Sequence, residues 1–206
     1  RCTPLEVVVN TYERPELAES TLLSIRSQAL GDIWLVVVDD GSSDTSWSRY
    51  ADELVVLHHA GAGRARKLAM LHALARTSPN CVLFCDSDLQ FSRGFDAETL
   101  KLVEVGDSLN PWRIASPYRS TAHLDGDDYP RNGVVLGDTY GGATIALKRK
   151  RIRSVVDNST VRWNMLYDWK LCAALKSVKP AKSLADHLGG QLPGALHPGS
   201  WDCGVN

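Results

Sequence analysis

Four apolar runs in the first ninety residues each break off into a polar cluster, and this repeated ending limits the folds open to the chain. "LEVVV" (5–9) leads into "NTYER", "IWLVVV" (33–38) into "DDGSSD", "ELVVLH" (53–58) into "HHAGAGR" and "CVLFC" (81–85) into "DSD". Runs this short, rich in β-branched residues and bounded by turn formers, read as strands. Between the first two lies "PELAESTLLSIRSQAL" (15–30), with Pro15 in a permitted first-turn position and Leu22, Ile25 and Ala29 on one helical face. Between the last two, "GAGRARKLAMLHALA" (61–75) opens on glycines and continues as a helix. Strand, helix, strand, strand, helix, strand predicts an α/β fold with a mainly parallel central sheet flanked by helices. Ligands of such sheets bind beyond the carboxyl ends of the strands, so all four polar clusters should open on one edge.

Composition narrows the classes further. With 206 residues, 44% of them hydrophobic, the chain can build the core of one compact unit, a single domain over 1–206. A formal net charge of -1 argues against a nucleic-acid binder held by bulk electrostatics. No apolar run approaches the roughly 20 residues that cross a bilayer, and "RCTPLEVVVN" lacks signal-peptide architecture. A soluble, cytoplasmic protein with no integral membrane association is expected. Cys2, Cys81, Cys85, Cys172 and Cys203 are scattered without zinc-site spacing and read as reduced thiols, mostly in the core.

The second half is less regular. "RIASPY" (113–118) and "ATIALK" (143–148) look like strands, "YDWKLCAALK" (167–176) like a helix, and 121–142 like a long loop region. "LKRKRIR" (147–153) reads as a solvated turn or helix face that could also meet phosphates. The tail from His187 to Asn206 is rich in glycine and proline, an irregular segment and a candidate cover over the site.

Three constellations can carry chemistry. Asp86 and Asp88 are two apart at a strand end, so both carboxylates can approach one point. Two like charges there need a cation, and an all-oxygen pair suits Mg²⁺ or Mn²⁺ shared with a substrate's phosphates. An isolated D-x-D is more often a solvated turn; its place beside three other polar clusters favours the site. Asp39 and Asp40 can accept hydrogen bonds from a nucleobase or ribose while Gly41 relieves the turn, or can cap that turn together with Ser42, Ser43 and Asp44. Gly61, Gly63, Arg64, Arg66 and Lys67 set flexible backbone and three cations at a helix start, a place for a pyrophosphate or simply a solvated basic face.

Taken in order, "VVVNTYERPELAESTLLSIRSQ", "VVVDDGSSD", "AGAGRARKLA" and "VLFCDSDLQFS" resemble the nucleotide-binding half of the GT-A fold glycosyltransferases of family 2. The resemblance continues through "YGGATIALKRKRI", "NMLYDWKLCAALK" and "SLADHLGG", and covers about residues 5–190. It implies a nucleotide-sugar-binding half over about 1–90, an acceptor and catalytic half over about 91–190 and an irregular tail over 191–206. It also implies residue roles. Thr11, Tyr12, Arg14, Asp39, Asp40, Gly61, Arg66, Asp86, Ser87 and Asp88 would bind the nucleotide sugar, with Asp40 and Asp39 at the uracil or ribose and Arg66 near the diphosphate. Asp88, Asp86 and His187 would hold the Mn²⁺ or Mg²⁺ ion, with His197 as a rival ligand. Asp168 matches the catalytic base, ahead of Asp138 and Asp128, although it could equally be the cap of its helix.

The implied activity is an inverting, metal-dependent transfer of a hexose from a nucleotide-diphosphate sugar, a UDP-sugar favoured, to an acceptor hydroxyl. The acceptor stays open among a glycan, a protein, a small molecule and a modified DNA base, the last not favoured by the charge. Alternatives are a sugar-phosphate nucleotidyltransferase, whose glycine-rich signature "NTYERPE" lacks, and a non-catalytic nucleotide-sugar-binding relative. Tyr167 stands where the family usually has a Glu before the catalytic Asp, and Lys67 where it has Asn. Trp163, Trp169 and Trp201 are core residues or stacking platforms.

Overall fold

The computed structural model describes residues 5–104, 108–109, 129–131, 134–136, 144–158, 163, 177–180 and 184–188. In chain order the elements are β1 (Leu5–Thr11), α1 (Pro15–Gln28), β2 (Ile33–Asp39), β3 (Glu53–Val56), α2 (Ala62–Leu74), β4 (Cys81–Asp86), β5 (Leu89–Phe91) and α3 (Phe95–Val103). There follow β6 (Ser108–Leu109), β7 (Tyr129–Arg131), β8 (Val134–Leu136), β9 (Thr144–Lys148), α4 (Arg149–Val156), β10 (Ser177–Pro180) and β11 (Ala185–His187). A 3₁₀ segment, Ser46–Tyr50, joins β2 to β3.

One sheet runs in the order β3-β2-β1-β4-β9-β6-β10-β8-β7. Its first four strands are parallel, as the strand and helix alternation predicts. β9 then pairs antiparallel with β4 and carries the sheet into the second half. A separate antiparallel pair joins β5 to β11.

Both faces of β1, β2 and β4 are covered, which is why they read as nearly continuous apolar runs, whereas the edge strand β3 leaves Leu54 and Val56 exposed. Val7, Val9, Leu35, Val37, Leu83 and Cys85 pack under α1 and α3 against Leu22, Ile25, Phe95 and Leu102. Their neighbours Val8, Val36, Val38, Val82 and Phe84 point the other way, against Ala69, Met70 and Ala73 of α2 and Ile152, Val155 and Val156 of α4. Each Val, Leu, Ile, Phe or Met among them, fully buried, contributes about 1.5–3 kcal/mol. Trp163 packs against this second core. Trp169 and Trp201 lie outside the described residues.

The basic run at 147–153 does not stay solvated throughout. Lys150, Arg151 and Arg153 are exposed, but Leu147 is buried on β9 and Arg149 turns inward. Arg149 donates to the carbonyls of Pro79 (2.6 Å), Arg76 (3.4 Å) and Ala73, and ion-pairs with Glu6 of β1, which has no exposed surface. A buried carboxylate needs such a partner. Burial pushes the Glu6 carboxyl above its ordinary range, while the hydrogen bond and charge of Arg149 pull it back only in part.

Two further expectations change. β7 and β8 are short strands inside the stretch 121–142, which the sequence presents as loop. β3 stops at Val56, although the Leu57 N–H still donates to the Asp39 carbonyl at 2.7 Å. "RIASPY", "YDWKLCAALK" and the tail beyond Leu188 lie outside the described residues, as do Cys2, Cys172 and Cys203. Cys81 and Cys85 are buried free thiols, as expected. No helix among the described residues is long and apolar enough to cross a membrane.

Candidate functional site

The parallel strands end level with one another. Thr11 of β1 stands opposite Asp39 of β2, and Asn10 opposite Asp86 of β4. Strand alternation sends Asp86 toward α2, and α2 supplies its partner. Arg66, only 1% exposed, crosses from that helix to Asp86 Oδ1 at 2.5 Å and to the Cys85 carbonyl at 3.4 Å. The strand stops there, so the alternation rule does not extend to Asp88, which lies in the bend that follows. Arg14, just ahead of α1, meets Asp88 Oδ2 at 3.3 Å. The two carboxylates of the D-x-D are thus held by arginines from two different helical elements.

Helix α1 also fixes the chain beyond Asp88. Its Thr21 hydroxyl accepts the Leu89 N–H at 3.0 Å, and Ser24, one turn on, accepts the Phe91 N–H at 2.7 Å. On the other side β5 pairs with β11, which sets the His187 backbone opposite Leu89 and lets the Leu188 N–H donate to the Asp88 carbonyl at 2.7 Å. The C-terminal "SLADHLGG" element therefore reaches the D-x-D as backbone. Ser87 is buried between the two carboxylates.

The loops after β1, β2 and β3 are tied together. Asp39 accepts the Ser42 hydroxyl (2.5 Å) and N–H (2.9 Å), and Ser42 Oγ in turn accepts the Glu13 N–H at 2.8 Å. Glu13 accepts the N–H and hydroxyl of Ser43, at 2.8 and 2.9 Å. These bonds hold Glu13 in the left-handed region (φ 49°), a conformation unusual for a residue other than glycine. Asp40 accepts the N–H groups of Ala60 (2.6 Å) and Gly61 (2.8 Å), pinning the turn into α2. Gly41 has φ +92°, and a Cβ there would lie 3.1 Å from the Leu57 carbonyl oxygen. At the rim Tyr12 packs its ring on His59, centroids 4.6 Å apart, both side chains exposed.

Of the residues singled out in the sequence, Thr11, Tyr12, Arg14, Asp39, Asp40, Gly61, Arg66, Asp86, Ser87 and Asp88 all lie on this edge, with the His187 backbone beside them. Asp168, Asp128, Asp138 and His197 lie outside the described residues. The structure adds Asn10, Glu13, Thr21, Ser24 and His59. Thr21 and Ser24 had a signal, since hydroxyls three apart among buried positions of a helix need partners. Asn10 had one too, as the first polar residue after "VVV". Its amide nitrogen and oxygen, and Thr11 Oγ1, are buried without a hydrogen-bond partner among the described residues. These atoms give the strand end a polar lining.

The family model for glycosyl transferase family 2 matches residues 6–120, more than half of the 206-residue chain. The chain belongs to that family. Its fold is GT-A, shared with several solved structures. The family 2 chain superposes on mannosyltransferase PcManGT from Pyrobaculum calidifontis, in complex with GDP-Man and Mn²⁺, with a TM-score of 0.67 and 16% identity, covering 93% of this chain and 58% of that one. It matches S. aureus TarS 1-349 with a TM-score of 0.62 and 16% identity, over 91% of this chain and 61% of that one. The same S. aureus protein in complex with UDP-GlcNAc gives 0.62 and 15% identity, over 93% and 62%. The chain therefore spans about three-fifths of the length of these structures. No curated protein sequence matches the chain.

Chemically the edge offers two hard oxygen ligands, Asp86 and Asp88, whose exposures differ: 42% for the first side chain and 6% for the second. Among the described residues no three His, Cys, Asp or Glu side chains converge as a complete metal cage. Two carboxylates fit Mg²⁺ or Mn²⁺, which commonly take one or two protein carboxylates and complete their shell with phosphate oxygens and water. Nearby Cys85 is a poor ligand, because complete burial drives its thiol far above the ordinary range despite the Arg66 charge.

Proposed function

We propose that the chain transfers a hexose, with inversion, from a nucleotide-diphosphate sugar to an acceptor hydroxyl, and that it needs a divalent cation. The observation that carries this reading is the D-x-D at the end of β4, with Arg66 on Asp86 and Arg14 on Asp88, on the edge where four strand ends meet.

In this reading Asp88 and Asp86, with His187, hold Mn²⁺ or Mg²⁺. A bound cation would supply Lewis-acid balance for the charge of the departing diphosphate, so no protein acid need protonate it. Arg66 and Arg14 stand where the diphosphate oxygens arrive, and the N–H groups at the start of α2 favour the same anion. Thr11, Asp39, Asp40 and Gly61 line the nucleoside end, and Tyr12 at the rim offers an aromatic face. Ser87 holds the spacing between the carboxylates. Asp168 takes the proton from the acceptor hydroxyl as it attacks opposite the leaving group.

A UDP-sugar is the favoured donor. Neighbours in complex with UDP-GlcNAc and with GDP-Man make both nucleotides necessary in any test. The acceptor is a hydroxyl on a glycan, a protein, a small molecule or a modified DNA base. The decisive experiment incubates the protein with a panel of UDP- and GDP-sugars and Mn²⁺, following donor turnover and added sugar by intact mass. Asp168→Asn should abolish transfer while leaving nucleotide affinity nearly unchanged. Loss of nucleotide binding in that variant would place Asp168 in the donor site instead.

A further inference from the structure

The two arginine–carboxylate pairs of the D-x-D are built in opposite senses. In one, the arginine is buried and the carboxylate exposed: Arg66 is 1% exposed and Asp86 42%. In the other, the carboxylate is buried and the arginine covers it: Asp88 is 6% exposed and Arg14 33%. Arg66 is also anchored by the Cys85 carbonyl. The Arg14 guanidinium has its one hydrogen bond among the described residues with Asp88, at 3.3 Å, a long contact for a charge-assisted pair. Its backbone is held in place, since Glu13 before it is tied to Ser42 and Ser43, and Pro15 after it opens α1. Only the side chain is left free to swing.

We propose that Arg14 is an exchange residue. It occupies Asp88 until a divalent cation takes that carboxylate, and it then turns its guanidinium to the phosphates of the nucleotide. The inference rests on the donor-site reading above and adds a mechanism to it. Cation and nucleotide each release what the other needs: the cation frees Arg14 for phosphate, and the phosphate draws Arg14 away from Asp88. Their binding is therefore coupled through this chain as well as through the direct contact between metal and phosphate, and the coupling is reciprocal. An arginine fixed in place would act differently. Its removal would strengthen cation binding and weaken nucleotide binding by constant factors, leaving their coupling unchanged.

The test measures Mn²⁺ affinity by electron paramagnetic resonance with and without saturating UDP, in the wild type, Arg14→Gln and Arg14→Lys, with GDP in parallel. Exchange predicts that Arg14→Gln binds Mn²⁺ alone more tightly than the wild type, and that the ratio of the two affinities falls by about fivefold or more. Arg14→Lys, which keeps a charge without the planar fork, should fall between and carries the test if the glutamine variant does not fold. An unchanged ratio, whatever happens to the separate affinities, overturns the exchange. Wild-type protein that binds neither nucleotide at saturating Mn²⁺ overturns the donor-site reading itself, a distinct result.

Discussion

Both ends of the parallel sheet set arginine against carboxylate, and they do so for different ends. At the amino end of β1, Glu6 is sealed from solvent and Arg149 is committed to it and to three carbonyls drawn from the end of α2 and the segment before β4. At the carboxyl end, Asp86 is held by Arg66 and Asp88 by Arg14, and in each pair one member reaches solvent. The first arrangement is closed to solvent. The second is open on one side of each pair. The same ion pair is therefore a staple where both partners are buried and, in the function proposed above, a binding device where one is exposed.

Replacing the arginine at each end should separate the two. Arg149→Met leaves the buried Glu6 carboxylate with the longer 3.9 Å ion pair to Arg76 and should cost about 3 kcal/mol, read as a lowered midpoint in urea unfolding. Arg66→Met leaves Asp86 in contact with solvent and should cost about 1 kcal/mol or less, while nucleotide binding is lost. Equal destabilisation by the two would erase the distinction.

That contrast shows what the sequence could and could not reveal. The carboxyl-end edge was readable because β-branched runs announce strands and their polar endings must fall on one side of a parallel sheet. Asp86 and Asp88 needed nothing more than that. Their partners did, since Arg14 meets Asp88 across 74 positions and Arg66 meets Asp86 across 20. Arg149 was harder still. "LKRKRIR" has the composition of a solvated face, and Arg149 enters the core because Glu6, 143 positions away, waits there. The clue was Glu6 itself, a charge inside a run buried on both faces. β7 and β8, three residues each, are too short to show a periodicity, and they pair with each other and, through β8, with β10.

A smaller effect bears on the same comparison. β4 carries a thiol near each end, Cys81 toward the staple and Cys85 toward the D-x-D. Burial raises the Cys81 thiol to about 12 and raises Cys85 further. Neither should react with a thiol reagent in the native protein at neutral pH, and both should become reactive in urea, as mapped by peptide mass spectrometry. Rapid native labelling of Cys85 alone would mean that the D-x-D edge opens more deeply than its exposed pairs suggest.

The central claim is that the D-x-D edge binds a nucleotide diphosphate through a divalent cation. Calorimetric titration of UDP and GDP into the protein, with and without Mn²⁺, tests it most directly when Asp88→Ala is run beside the wild type. Outer-shell partners of a metal typically cost about 10–100-fold in affinity when removed, so a direct ligand should cost about 100-fold or more. The account predicts saturable, Mn²⁺-dependent binding of one nucleotide, weakened by that factor in Asp88→Ala. Binding that needs no cation, or that Asp88→Ala leaves unchanged, would contradict it.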